Sequence, residues 1–310
     1  MFALKRSNSS TALTAEINDA IQWIDGDVLD IASLEDSMQG MDYVFHSAAV
    51  VSFNPRHYDE MMEINVQGTA NVAEIARLNE VKKLIHVSSI AALGRREKLD
   101  HIDEETEWQS SSWNTKYAVS KQLSEMEVWR ASAEGLKIAI VNPSVILGSA
   151  FWEKGTGRFF KIVWNGLRLY PTGSTGFVDV RDVVEAMVRL MESDVKEERI
   201  VLNGENLPYK FIFDRIADQI GKPRAKIKVT KFLREVAWRV DSLLNIIFGK
   251  APRVTRETAR NSSRNVTFGN QKSKDLLDME YRPIEKTIDE MAVQFLEASK
   301  KNFKPVYMDF

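Results

Sequence analysis

Cysteine is absent from all 310 residues, which excludes disulfide staples, thiolate nucleophiles and cysteine-ligated zinc. A chain without it suits a reducing compartment, and a cytoplasmic location is the expectation. Long apolar runs are also missing: none reaches the roughly 18 to 20 residues needed to span a bilayer. The first residues lack the charged, apolar and small-residue order of a signal peptide. An excess of either charge is lacking too. The 42 basic residues stand against 44 acidic ones, and a net charge of -2 gives no global attraction for nucleic acid or an anionic membrane. A small molecule is the expected partner. No repeat of fixed period and no low-complexity tract breaks the chain.

What is present is enough apolar material for a sizeable core, 44% of residues. In the first half short β-rich runs alternate with segments of helical period, the pattern of a parallel sheet with helices on both faces. The strands are expected at Phe2 to Lys5, Ile21 to Asp25, Tyr43 to Ser47, Lys83 to Ser88 and Lys137 to Asn142. Helices are expected over about Tyr58 to Leu78 and about Asn114 to Ala133, and these two could form a homodimer contact. After Pro143 the pattern loosens, then resumes with a strand and helix over Phe177 to Met191 and a strand at Arg199 to Leu202. The expected architecture is α/β, a Rossmann-like doubly wound sheet with a smaller, mostly helical lobe. Residues 1–150 and 177–203 are assigned to the sheet domain, and 151–176 and 204–310 to a substrate-binding lobe.

In such a fold the chemistry lies beyond the carboxyl ends of the strands. There Tyr117-Ala-Val-Ser-Lys121 places a phenol and an ammonium on one helix face, one turn apart. Free tyrosine titrates near 10, and a neighbouring cation favours the phenolate needed for proton exchange with an alcohol or carbonyl. Alone, this spacing is also that of an ordinary surface pair. Ser88 and Ser89 end the strand before a loop, where Ser89 can polarise a reacting oxygen or merely cap the backbone. Val141-Asn-Pro143-Ser144 ends the next strand and offers a wall for a flat ring. Asp179 and Asp182 read as helix-capping groups rather than reacting ones. The aromatic residues Phe151, Trp152, Phe159, Phe160, Trp164 and Tyr170 suit either a substrate wall or ordinary core. The amphipathic run Thr230 to Phe248 reads as buried in the second lobe, a membrane-surface or substrate-covering helix being the alternative.

Taken together, Gly26-Asp-Val-Leu-Asp30, His46-Ser-Ala-Ala49, Asn65-Val-Gln-Gly-Thr69, the Ser89 loop, the Tyr117 motif, Asn142-Pro-Ser144 and Phe177-Val-Asp-Val-Arg-Asp182 occur in a telling order. The sequence resembles the extended short-chain dehydrogenases, especially the branch of dihydroflavonol reductases and 3β-hydroxysteroid dehydrogenases. The resemblance implies an NAD(P)-dependent oxidoreductase interconverting an alcohol and a carbonyl of moderately apolar character. It implies that Ser89 polarises the substrate oxygen, that Tyr117 is the acid/base, and that Lys121 lowers the tyrosine pKa and binds the nicotinamide ribose. It places Asp27 and Val28 beside adenine, Ala48 and Ala49 near the ribose and diphosphate, Asn65 and Ser88 in support, and Pro143 and Ser144 at the nicotinamide.

Lys5, Arg6 and Ser7 come directly after the first strand, where basic residues suit the extra phosphate of NADP and an acidic one would suit NAD. NADP is therefore the expected cofactor, with NAD the other candidate and Arg6 the phosphate contact. The family's G-x-x-G-x-x-G turn occurs nowhere in the sequence. A truncated chain, lacking a β-α unit of about 30 residues that receives the diphosphate, is the expectation. Two other readings stay open: a nucleotide-sugar epimerase or dehydratase built on the same triad, and a non-catalytic binding remnant. Ile90-Ala-Ala after Ser89 favours simple reduction, since an epimerase or dehydratase is expected to add acid/base residues there.

Overall fold

The computed structural model describes residues 1–230, 233, 235 and 260–303. The strands are β1 (Phe2–Lys5), β2 (Gln22–Asp25), β3 (Tyr43–His46), β4 (Lys83–Val87), β5 (His101–Ile102) and β6 (Ile138–Pro143), then β7 (Val145–Leu147), β8 (Leu169–Tyr170), β9 (Ser174–Asp179), β10 (Glu198–Leu202) and β11 (Glu205–Pro208). The central ladder is four parallel strands in the order β10-β6-β4-β3. Parallel strands covered on both faces need apolar side chains in both directions, and the sequences Lys-Leu-Ile-His-Val and Ile-Ala-Ile-Val-Asn-Pro supply them.

The period of two along those strands divides the core. Leu84, Ile138 and Ile140 face helices α3 (Gly68–Leu78) and α4 (Lys116–Ala133), where Val72, Ala73, Ile75, Ala76, Val128 and Ala131 meet them. Ile85, Ala139 and Val141 face the other way, onto Val183, Ala186 and Leu190 of α6 (Val180–Glu192). Each fully buried Leu, Ile or Val contributes roughly 1.5–3 kcal/mol relative to exposure. This double cover holds the strand ends that carry the site.

Strands β1 and β2 form a separate parallel ladder in which Lys5 stands opposite Asp25. Among the described residues the outer edge of β1 and the outer edge of β3 have no strand partner, and Phe2, Tyr43 and Phe45 are about half exposed.

The helical run expected over Tyr58 to Leu78 is continuous but not uniform. Between α2 (Tyr58–Met61) and α3, residues Met62–Gln67 are π-helical. The wider turn carries Asn65, which is wholly buried. Gly68 comes next because a Cβ there would sit 2.7 Å from Cγ2 of Val28, so the helix and the Asp27-Val28 loop can touch.

The second core is aromatic. Trp152, Phe160 of helix α5 (Gly157–Trp164) and Phe295 of the helix Ile284–Lys300 pack together, with ring centroids 5.1 Å apart for Trp152 and Phe295. Helix α7 (Tyr209–Gln219) closes this cluster with Ile212, Phe213 and Ile216. Trp152 and Phe160 are therefore core, while Phe151 is exposed. Asp179 caps α6, accepting from the Arg181 N–H at 2.7 Å, and Asp182 is paired with Arg282; neither is free to react. The run Thr230 to Phe248 lies outside the described residues apart from Thr230, Leu233 and Glu235.

Candidate active site

Ser89 leaves β4 in extended conformation and caps the short 3-10 turn Ile90–Leu93, its hydroxyl accepting from the Ala91 N–H at 3.2 Å. Its carbonyl is held by Nδ2 of Asn142, the penultimate residue of β6, at 2.9 Å. Thr115 starts α4 by accepting from the Ala118 N–H at 3.0 Å, which sets Tyr117 in the first turn and Lys121 one turn further on. The phenol of Tyr117 is raised above its ordinary range by desolvation, and a hydrogen bond to Ser89 acts in the opposite sense. Phe53 meets the Tyr117 ring edge-on at 6.0 Å. Lys121 is almost fully buried and is pulled down to about 8 by desolvation, with Glu125 opposing. Its Nζ donates to the Val87 carbonyl at 2.9 Å.

Beneath this group lie two histidines that sequence reasoning did not single out. His46 and His86 stand opposite each other in the β3–β4 register, with ring centroids 5.3 Å apart. Desolvation, reinforced by Lys121, lowers His46 to about 3 and His86 well below its ordinary value, so both rings are neutral at pH 7. Nε2 of His86 lies 3.5 Å from Nζ of Lys121, and Nε2 of His46 lies 3.0 Å from the Thr69 hydroxyl. Each histidine immediately precedes or nearly precedes a serine at a strand end. That is the only signal the sequence offers for them.

The expected cofactor residues divide by what they touch. Asn65 spends its side chain within the protein: Oδ1 accepts from the Val50 N–H at 2.7 Å, and Nδ2 donates to the Val50 carbonyl at 2.9 Å and to the Ser120 hydroxyl at 3.0 Å. It ties the loop after β3 to the helix of Tyr117. Ala48 and Ala49 in that loop are exposed, so backbone can approach a ligand there. Asp27 accepts from the Leu29 N–H at 3.0 Å, and the Val28 carbonyl accepts from Asn71 at 3.0 Å. Ser88 continues the ladder, donating its N–H to Val141 at 2.8 Å. Lys5 is engaged by Asp25 at 2.5 Å, whereas Arg6 is exposed.

Pro143 closes β6 opposite Leu202, and the next residue, Ser144, has its hydroxyl buried and without a partner among the described residues. An unsatisfied buried hydroxyl costs free energy and suits a site completed by a polar ligand. The nicotinamide end of a dinucleotide therefore fits these residues, while the sequence supplies no glycine turn for its diphosphate. Among the described residues no group of three or more His, Asp or Glu could hold a metal ion.

The model of the NAD dependent epimerase/dehydratase family matches residues 2–203. The chain belongs to that family: it is an enzyme of the extended short-chain dehydrogenase/reductase class with a Rossmann-like fold. It is 28% identical over 247 residues to sterol demethylase protein B of Methylococcus capsulatus, covering 78% of this chain and 74% of that one. It is 27% identical over 265 residues to a putative dihydroflavonol 4-reductase of Synechocystis, covering 83% and 76%. The crystal structure of gox2253 superposes with a TM-score of 0.81 at 29% identity, covering 96% of this chain and 90% of that one.

Proposed function

We propose that the protein is an NAD(P)-dependent reductase that interconverts a carbonyl and an alcohol, with Tyr117 exchanging the proton. The observation that carries this reading is the convergence of Ser89, Tyr117 and Lys121 at the ends of β4 and the start of α4, with Tyr117 hydrogen-bonded to Ser89. A bound nicotinamide supplies the hydride. Ser89 holds the reacting oxygen and stabilises the charge that develops on it, its position fixed through Asn142. Tyr117 gives the proton to that oxygen in reduction and takes it in oxidation. Desolvation makes the phenol reluctant to ionise and the hydrogen bond to Ser89 opposes it; Lys121, one turn along α4 and cationic below about pH 8, is the charge assigned in this reading to favour the phenolate as the reaction proceeds.

Simple reduction is supported over epimerisation by the three residues after Ser89. Ile90, Ala91 and Ala92 offer no acid or base, and Ile90 and Ala92 are buried. NADP is supported by Arg6 alone, since Lys5 already has a carboxylate partner. Titration of NADPH and NADH into wild type and Arg6→Ala tests this: tighter NADPH binding that Arg6→Ala abolishes is expected, and equal affinities would overturn it.

A further inference from the structure

We infer that Arg95 is the receptor for an oxyanion, a carboxylate or phosphate, carried by the substrate at the end remote from its reacting oxygen. The inference deepens the proposed reductase reading and rests on it for the position of the reacting end. Gly94, at φ +81°, ends the turn that Ser89 begins, and a Cβ there would press on the Trp108 ring at 3.0 Å. The chain so turned presents Arg95, whose N–H donates to Oδ1 of Asn114 at 2.6 Å and whose carbonyl accepts from the Ser111 hydroxyl. Asn114 lies three residues before Tyr117. The root of the Arg95 side chain is thus fixed between the Ser89 turn and the entry to the Tyr117 helix, beside both groups that act on the substrate.

From that root the guanidinium lies within electrostatic reach of Tyr209, at the start of α7, and of Arg264. Arg264 is already employed: it donates to the carbonyls of Arg96 at 2.9 Å and Leu99 at 3.1 Å, and to Asp100 at 3.1 Å. Arg95 has no such acceptor. No side-chain hydrogen bond or carboxylate meets its guanidinium among the described residues, although a guanidinium carries five donors in a planar fork. Its surroundings are desolvating enough to depress its basicity, an effect that Arg264 reinforces and Tyr209 opposes, yet the residue keeps part of its surface in contact with solvent.

Arg95 has lost hydration and is repelled by Arg264, whose own acceptors are already in place, so an Arg95 without an acceptor is costly. An arriving oxyanion reverses each cost. It accepts two parallel N–H bonds from Arg95 and screens Arg95 from Arg264. A neutral substrate would leave the guanidinium unmet. The site therefore discriminates by charge at one end and by proton transfer at the other.

Tryptophan fluorescence reads binding here without turnover, since Trp108 and Trp113 adjoin the loop that carries Arg95. The probes are 4-formylbenzoate, its methyl ester and 4-formylphenyl phosphate. Wild type is expected to bind at least one anion about tenfold or more tightly than the ester, and the better anion distinguishes carboxylate from phosphate recognition. Arg95→Gln should abolish that preference and leave ester binding unchanged, and Arg95→Lys should restore part of it; thermal melts of each variant establish that it folds. Equal binding of ester and anions, no saturable response to either anion, or an Arg95→Gln variant that keeps the preference would overturn the inference. Parallel NADPH oxidation with the same probes separates the two readings. Anion-selective binding without turnover counts against the reductase chemistry alone, and turnover indifferent to the anion counts against Arg95 alone.

Discussion

Nζ of Lys121 lies 3.5 Å from Nε2 of His86, at the limit of hydrogen-bond reach and wholly inside the protein. With its proton on Nδ1, the neutral imidazole presents a lone pair there, which favours the ammonium form without adding charge. The Ser124 hydroxyl approaches the same nitrogen at 3.5 Å, and Nδ1 of His86 has no partner among the described residues. In the proposed mechanism this contact makes His86 a positioning residue for Lys121.

His86→Phe should consequently remove a stabilising acceptor, lower the Lys121 pKa further and move the alkaline limb of the pH–rate profile to lower pH. His86→Gln, which retains an acceptor, should shift the limb less. An unmoved limb in His86→Phe, with only a uniform loss of activity, would assign His86 to packing.

Lys121 itself sits in tension with stability. Its ordinary value near 10.5 is lowered to about 8, chiefly by desolvation, with Glu125 opposing. The unfolded chain therefore binds more protons than the folded chain between about pH 8 and 10.5, and stability contributed by this group rises with pH across that window. Below about pH 8 the folded chain carries the full cost of a desolvated cation. Lys121→Met should melt above wild type at pH 7, the gap narrowing toward pH 10, while activity is lost. A variant that melts below wild type at pH 7 would mean that the bond to the Val87 carbonyl outweighs that cost.

Asn65 makes three hydrogen bonds from a wholly buried position, two to Val50 and one to Ser120. Asn65→Ala leaves the half-buried Val50 N–H and C=O without their side-chain partner, at up to about 1–3 kcal/mol per unmet group. Urea denaturation should show a loss on the order of 2–4 kcal/mol. A loss below about 0.5 kcal/mol would mean that the loop after β3 relaxes to find other partners.

Local patterns carried much of this architecture in the sequence. Apolar runs around Leu84-Ile85 and Ile138-Ala139-Ile140 located their strands to within a residue, because double cover by helices demands continuous apolar character. Tyr117 and Lys121 were legible because a one-turn spacing is a helix property, and the Thr115 cap fixes where that helix starts. Features created by distant contacts left no such trace. The π-turn that buries Asn65 does not alter the hydrophobic period, and the pairing of His46 with His86 depends on a strand register set elsewhere. Lys5 read as a free cation because its partner, Asp25, lies across a ladder twenty residues away. Nothing in the sequence marks Arg95, for Tyr209 and Arg264 act on it from more than a hundred residues further on.

The proton-transfer role proposed for Tyr117 is tested most directly by steady-state reduction of a carbonyl substrate by Tyr117→Phe under saturating NADPH, with cofactor affinity measured alongside. The phenol hydroxyl is the only group removed, so Ser89 and Lys121 remain to bind and orient. Turnover should fall by at least about 100-fold, the scale for losing a positioned acid/base, with NADPH affinity kept within about threefold of wild type. Near-wild-type turnover in Tyr117→Phe would contradict the account.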